Sequence, residues 1–193
     1  MRLILASQSI TRQNMLRNAG LDFEIHPADI DEATHKNSDK TPAEIAKILA
    51  SKKALAVSQK FPGALVIGSD QILECEDSLL TKAKDENEAR EKLKNLRGKT
   101  HHLFSAATVA KNNEILWQDV QKASLTMHNF SDEFLDAYIK TCGEALTKSV
   151  GAYAIEGAGI NLFENIEGDH FTILGMPLLS VLTYLREEQG IGL

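Results

Sequence analysis

The chain lacks most of the features that would mark it for redox, membrane or metal chemistry. Its two cysteines, Cys75 and Cys142, form no CxxC pair, which removes the thioredoxin-like motif and the paired thiolates of a zinc site. Two free thiols in a reducing compartment and one disulfide both fit that count. No window approaches the ~18 apolar residues a membrane-spanning helix needs. The first apolar run ends at Ala6, too short for the core of a signal peptide. Aromatic residues make up 6%, and 21 Lys+Arg against 27 Asp+Glu leave a net charge of −6. A general nucleic-acid surface needs the opposite balance together with stacking rings. The six histidines show no ligand spacing, and adjacent His101 and His102 would face opposite sides of a strand. No GxSxG elbow and no glycine-rich phosphate loop is present. These absences predict a soluble cytoplasmic protein without a membrane or nucleic-acid partner. An anionic ligand would need a locally basic site.

What is present suits a globular domain. The 193 residues, 43% hydrophobic and 25% charged, can bury a sizeable core, and they read as one domain over 1–193. Leu3–Ala6 is a short apolar strand and Ile10–Ala19 a helix ended by Gly20. Phe23–His26 alternates as a strand does, and Asp29–Lys40 reads as an exposed loop. Thr41-Pro42-Ala43-Glu44 is a capping box that opens a helix to about Ser58. Ala64–Gly68 is a buried strand with Ser69-Asp70-Gln71 at its end, and Ile72–Leu80 reads as a hairpin. Asp85–Leu96 is an amphipathic helix stopped by Gly98. Strands Thr100–Ala110 and Ile115–Thr126 flank a turn. Ser131 caps a helix ending near Thr141, and Gly143–Ser149 reads as a loop. Ile160–Ile166 and Phe171–Leu174 read as a hairpin around Gly168, and Pro177 begins the last helix. The prediction is an α/β fold, a mixed twisted sheet with flanking helices.

Several residues carry possible chemistry. Ser7, Ser9 and Arg12 follow the first strand. Small hydroxyl residues ahead of a helix suit an anion, and a guanidinium on the first turn can grip a phosphate in two places. The structural alternative is a turn with Ser9 as helix cap. Asp70, read at the carboxyl end of a buried strand, stands where open α/β sheets bind ligands; the alternative is a carboxylate capping a turn. Lys52 and Lys53 point about 100° apart on one helix, so only one of them can face a given site. Lys82 and Lys148 are further cations, each open to the plain reading of a solvated charge. Gly151–Gly159 surrounds Glu156 with small residues, which allows close backbone approach to a ligand or simply makes a turn.

Taken together these segments resemble the Maf family of nucleoside triphosphate pyrophosphatases. The residues that carry the likeness are Leu5-Ala6-Ser7-Gln8-Ser9 with Arg12, Asp31-Glu32, Lys53-Ala54, Gly68-Ser69-Asp70-Gln71, Lys82, Gly98 with Thr100-His101, Lys148, Gly151–Gly157 and Gly175-Met176-Pro177-Leu178. They run in the family's order from residue 3 to about residue 185. The resemblance implies an elongated, two-lobed fold like the inosine triphosphatase group, with a central cleft. It implies cytoplasmic hydrolysis of a nucleoside triphosphate to the monophosphate and pyrophosphate with a divalent cation, Mg or Mn, and a homodimer as in relatives. By that likeness Asp70 is the general base, or else a cation ligand only. Ser7, Ser9, Arg12, Lys53, Lys82 and Lys148 would hold phosphates, and Glu32 with Asp70 the metal. The chain departs from the family pattern at Ala83 after Lys82, Thr147 before Lys148 and Arg97 before Gly98.

The likeness also bears on the base. Gln71 and Glu156 resemble the branch that acts on 7-methyl-GTP rather than the branch that acts on UTP and dTTP. A glutamate accepts hydrogen bonds from the N1–H and amine of guanine, which uracil cannot offer. Thr11 departs from that branch, which places an aromatic there. Thr11, Gln71 and Glu156 are therefore the expected specificity positions. The rival reading is a non-catalytic nucleotide-binding regulator of cell division or septum formation.

Overall fold

The computed structural model describes residues 2–32 and 39–192. In chain order the elements are β1 (Leu3–Leu5), α1 (Ile10–Asn18), β2 (Glu24–Ile25), α2 (Pro42–Ser58), β3 (Leu65–Cys75), β4 (Ser78–Leu80), α3 (Glu86–Leu96), β5 (Thr100–Lys111), β6 (Glu114–Met127), α4 (Asp132–Cys142), α5 (Ala145–Lys148), a 3-10 turn (Ala158–Leu162), β7 (Phe163–Glu167), α6 (His170–Leu174) and α7 (Leu178–Gln189). The strands form one mixed sheet in the order β2-β1-β3-β5-β6-β7, with β4 paired to β3. β1 runs parallel to both β2 and β3, whereas β4 on β3 and β7 on β6 are antiparallel. The α/β class and the mixed sheet with helices are as predicted. Of the predicted loop Asp29–Lys40, residues 33–38 lie outside the described residues.

The chain divides into two compact units. The first comprises Met1–Gln71, Phe104–Lys122 and Asp169–Leu193. Its sheet obeys the two-residue period of a strand. Leu3, Leu5, Leu65 and Ile67 turn to one face and pack with Met15, Leu16, Val181 and Leu185 of α1 and α7. Ile4, Ala6, Ala64 and Val66 turn to the other and meet Val57 of α2. α2 begins as its sequence demands: the Thr41 hydroxyl accepts from Glu44 N–H at 3.3 Å, and Glu44 Oε2 accepts from Thr41 N–H at 2.8 Å.

The second unit comprises Ile72–Leu103 and Ala123–Gly168. Glu76 and Asp77 have φ of 50° and 61° and make the tight turn between β3 and β4. Asp85 caps α3 and Ser131 caps α4, each accepting the backbone N–H three residues on. Cys75 and Cys142 are free thiols.

Three readings are corrected. β3 does not stop at Gly68: pairing with β4 carries it to Cys75, so Asp70 lies inside a strand. Phe171–Leu174 is helical rather than extended, because Asp169 Oδ2 accepts from Thr172 N–H at 2.8 Å and opens a helical turn that Gly175, at φ 110°, closes. Residues Ala145–Lys148 of the expected loop form the short helix α5.

His101 is fully buried in the second unit, its Nε2 2.7 Å from the Tyr153 hydroxyl and its Nδ1 without a partner. Burial, with a smaller push from His102, lowers its pKa to about 4. An unfolded histidine titrates near 6.5, so the unfolded chain binds the extra proton between those values. His101 therefore contributes stability that is fully present above about pH 6.5 and is lost as pH falls toward 4. Urea unfolding should show about 2 kcal/mol of stability lost between pH 7 and pH 5. That slope should be absent from His101→Asn; an equal slope in both proteins refutes the assignment.

Candidate functional site

β3 continues past the end of its short parallel neighbour: Leu5, the last residue of β1, is level with Ile67. Beyond that point strand alternation sends Gly68 and Asp70 to the α2 side and Ser69 and Gln71 to the opposite side. Gly68 makes the approach of α2 possible. A Cβ there would sit 2.2 Å from Ala50 O and 2.6 Å from Ala54 N. With β3 and α2 in backbone contact, Lys53 reaches Asp70.

Lys53 Nζ lies 2.5 Å from Asp70 Oδ1 and 2.7 Å from Glu32 Oε1. The Lys53 and Asp70 side chains are only 12% and 7% exposed, so an isolated charge on either would be costly and the pairing offsets that cost. Lys52, its neighbour, is exposed, which settles which of the two lysines faces the carboxylates. Asp70 Oδ2 is buried with no hydrogen-bond partner.

On the strand's other face, side chains converge on α6. Gly175 O accepts from Ser69 Oγ at 3.0 Å and from Arg12 Nε at 2.8 Å. Arg12 Nη1 also donates to Ser7 Oγ at 3.3 Å. Gln71 Nε2 lies 3.1 Å from Ser105 Oγ, 3.1 Å from Thr172 O and 3.0 Å from Ile173 O. Burial lowers the Arg12 pKa from its ordinary value, while the charges of Asp70 and Glu32 act to raise it. Those two carboxylates are thus close enough to act on the guanidinium. A partly buried guanidinium with neutral hydrogen-bond partners suits a phosphate oxygen.

Ser9 is the cap of α1, as the structural alternative held: its Oγ accepts from Arg12 N–H at 3.4 Å. The buried Ser7 accepts from Ser9 N–H at 3.2 Å, and Thr11 is half-buried on the first turn. Ser7, Ser9, Arg12, Glu32, Lys53, Asp70 and Gln71 all belong to the first unit. Lys82, Lys148 and Glu156 belong to the second, where all three are exposed: Lys82 before α3, Lys148 at the end of α5, and Glu156 in the turn ahead of the 3-10 segment. Upstream of that turn the Tyr153 ring covers Gly151, where a Cβ would lie 2.2 Å from the ring. Ser69, Ser105 and Thr172 were not among the predicted site residues, although Ser69 lies in the Gly68–Gln71 motif and Asp169-x-x-Thr172 has the spacing of a helix cap.

Residues 2–188 match the family model described as Maf-like protein. The chain belongs to the Maf family. Among curated Maf relatives, a protein of Granulibacter bethesdensis named nucleoside triphosphate pyrophosphatase is 47% identical over 195 residues, covering 99% of each chain. One of Caulobacter vibrioides with the same name is 49% identical, covering 94% of this chain and 93% of its own. One of Brucella abortus named 7-methyl-GTP pyrophosphatase is 46% identical, covering 98% of each. Among solved structures, the Staphylococcus aureus Ham1 protein matches at a TM-score of 0.45 and 17% identity, over 67% of this chain and 73% of that one, a likeness too distant to bear on function.

The backbone contact at Gly68 generates a sharp test of how the site is held. Gly68→Ala should lose roughly 3 kcal/mol in urea unfolding, the upper range for overpacking against a rigid neighbour. A midpoint equal to the parent's would refute the contact.

Proposed function

We propose that the chain is a nucleoside triphosphate pyrophosphatase, releasing pyrophosphate and a nucleoside monophosphate, with Asp70 as the base that takes a proton from the attacking water. The observation that carries this is Asp70 itself: one oxygen is held by Lys53, and the other is buried and unsatisfied. An acceptor fixed in that way is ready for a proton, and positioned base catalysis contributes on the order of 10²- to 10⁴-fold. The names of relatives that match over nearly the full length support the reaction class.

Hydrolysis of a phosphoanhydride needs alignment and neutralisation of developing charge more than covalent help. Arg12, steadied by Ser7 and Gly175, and Lys53 supply fixed positive charge beside Asp70. Ser9 holds the helix turn from which Arg12 extends. Glu32 and Asp70 both turn toward one cation, the Lys53 ammonium. In this reading Glu32 and Asp70 would hold a magnesium or manganese ion, which takes hard carboxylate oxygens of this kind. Such an ion, when bound, neutralises phosphate charge and lowers the pKa of water. Lys82 and Lys148 would serve as further phosphate contacts in this reading.

For the base, we favour guanine. Glu156 is exposed in a tight turn, and its carboxylate can accept from N1–H and the exocyclic amine together. A methylated guanine triphosphate is the finer form of this reading, supported by the Brucella relative's name.

With Mg²⁺ or Mn²⁺ present, the parent protein should release pyrophosphate from a nucleoside triphosphate, and Asp70→Asn should lower kcat by about 10²-fold or more. Undiminished release by Asp70→Asn removes Asp70 as the base. No release by the parent with either metal leaves a nucleotide-binding regulator. In steady-state comparison, 7-methyl-GTP and GTP should exceed UTP and dTTP in kcat/KM; a clear preference for UTP ends the guanine assignment.

A further inference from the structure

We propose that His101 is a positioning residue for recognition of the base, because it pins the neck of the loop 154–162 on which Glu156 sits. The inference rests on the reading of Glu156 as the residue that meets guanine. It gives the buried His101–Tyr153 pair a task beyond the stability of the second unit.

The loop leaves the core at Tyr153 and returns to it at Phe163. Both residues are buried, and their rings meet edge to face with centroids 4.8 Å apart. His101 of β5 completes the neck: its ring lies 5.6 Å from that of Tyr153 and 5.9 Å from that of Phe163. The polar link within this neck is the 2.7 Å contact between His101 Nε2 and the Tyr153 hydroxyl. An apolar side chain would suit burial alone, whereas the imidazole keeps an unpartnered Nδ1 there at a cost. What the imidazole adds is a fixed partner for the buried hydroxyl of Tyr153.

The stretch before Tyr153 is held against its own preference. Ala152 is fully buried at φ 58°, a left-handed conformation that strains any residue with a Cβ. Such a conformation persists where the surrounding contacts over-determine it. Here the Ala152 carbonyl accepts from the Tyr138 hydroxyl at 3.1 Å, and Tyr153 N–H donates to Ser149 Oγ at 2.8 Å. Beyond the neck the loop is stiff. Gly157 N–H donates to Ala154 O at 3.2 Å, closing the turn that contains Glu156. Gly159 presses on the same residue, since a Cβ there would come within 2.5 Å of Ala154 O. A displacement of Tyr153 is therefore carried through a closed turn to the Glu156 carboxylate. To accept from the N1–H and the exocyclic amine together, that carboxylate must present both oxygens in the plane of guanine. A small rotation of the turn loses one of those bonds. Uracil offers no such pair of donors, and a bare triphosphate offers none, so neither senses the rotation.

The experiment compares ligands that share phosphates and differ in the base: inorganic tripolyphosphate and the α,β-methylene analogues of GTP and UTP. Affinities are measured by calorimetry with Mg²⁺ present for the parent, Tyr153→Phe, Tyr138→Phe, His101→Asn, His101→Gln and Glu156→Gln, and the thermal midpoint of each is recorded. Tyr153→Phe should weaken the GTP analogue by about three- to tenfold, the scale of one lost hydrogen bond. The UTP analogue and tripolyphosphate should stay within about twofold. His101→Gln puts an amide nitrogen near the place of Nε2 and should keep the parent's GTP-to-UTP ratio. His101→Asn is too short to reach the hydroxyl and should lose it; a purely structural role predicts no such difference. Glu156→Gln should lower the same ratio, and adding Tyr153→Phe to it should cause no further fall. Tyr138→Phe, which frees the Ala152 carbonyl, should act like Tyr153→Phe and decides the matter if the other core variants fail to fold. Equal weakening of all three ligands, or an unchanged ratio in the folded variants expected to lose it, overturns the proposal. So does a further fall in the double variant. If Glu156→Gln leaves the ratio unchanged, or the parent favours the UTP analogue or binds neither, the guanine reading fails and this proposal with it. A parent that binds the analogues as expected but releases no pyrophosphate refutes the reaction alone, because binding still tests His101.

Discussion

The site depends on the alternation of side chains along β3 where that strand is clasped by a helix on each face. Gly68 lets α2 press its backbone against the strand on one side. Ser69 and Gln71 bind the C-terminal turn of α6 on the other. Asp70 lies between these residues in sequence and faces α2. A one-residue slip would exchange the faces, putting the carboxylate among the carbonyls of α6 and the hydroxyl against Lys53. The apolar residues before it prevent that slip. Leu65 and Ile67 belong to the core shared with α1 and α7, whereas Val66 belongs to the one beneath α2.

The electrostatics follow from that clasp. Two carboxylates, Glu32 and Asp70, converge on one lysine in surroundings where water is largely excluded from Lys53 and Asp70. Three charges with a net of −1 cannot neutralise one another, and one buried oxygen of Asp70 has no donor. Leaving a polar atom unsatisfied is costly. A protein keeps such an atom where a ligand or a reacting water supplies the missing partner. Arg12 adds positive charge nearby but is held by a carbonyl and a hydroxyl. Its charge is thereby available to an anionic ligand.

Much of this was legible in the chain. The capping box at Thr41, the caps Ser9, Asp85 and Ser131, and the stop at Gly98 are local signals and locate their helices within a residue or two. Asp70, Arg12 and Ser7 stood out because they follow apolar runs, although a turn or a helix cap fitted those positions too until the family resemblance placed them together. The misreadings share a cause. Gly68 looked like a strand end because glycine weakens strands, yet here it accommodates a helix backbone while β4 sustains the strand beyond it. Phe171–Leu174 is a short apolar run with no period of its own, and only the Asp169 cap tips it to helix. Ser69, Ser105 and Thr172 were invisible as a network because hydroxyl residues are common and their partners lie up to 106 positions away.

By itself the sequence determined the α/β class, the boundaries of the longer capped helices, the family and the charged residues that gather around Asp70, since each is written in local pattern or in motifs that survive without knowledge of the fold. The tertiary structure alone decided which lysine faces Asp70, that Asp70 sits within a strand rather than at its end, and that the Gln71 amide is engaged by α6. Those outcomes depend on which elements pack on which face of β3. That packing is set by contacts across long separations in the chain, where local propensity has no influence.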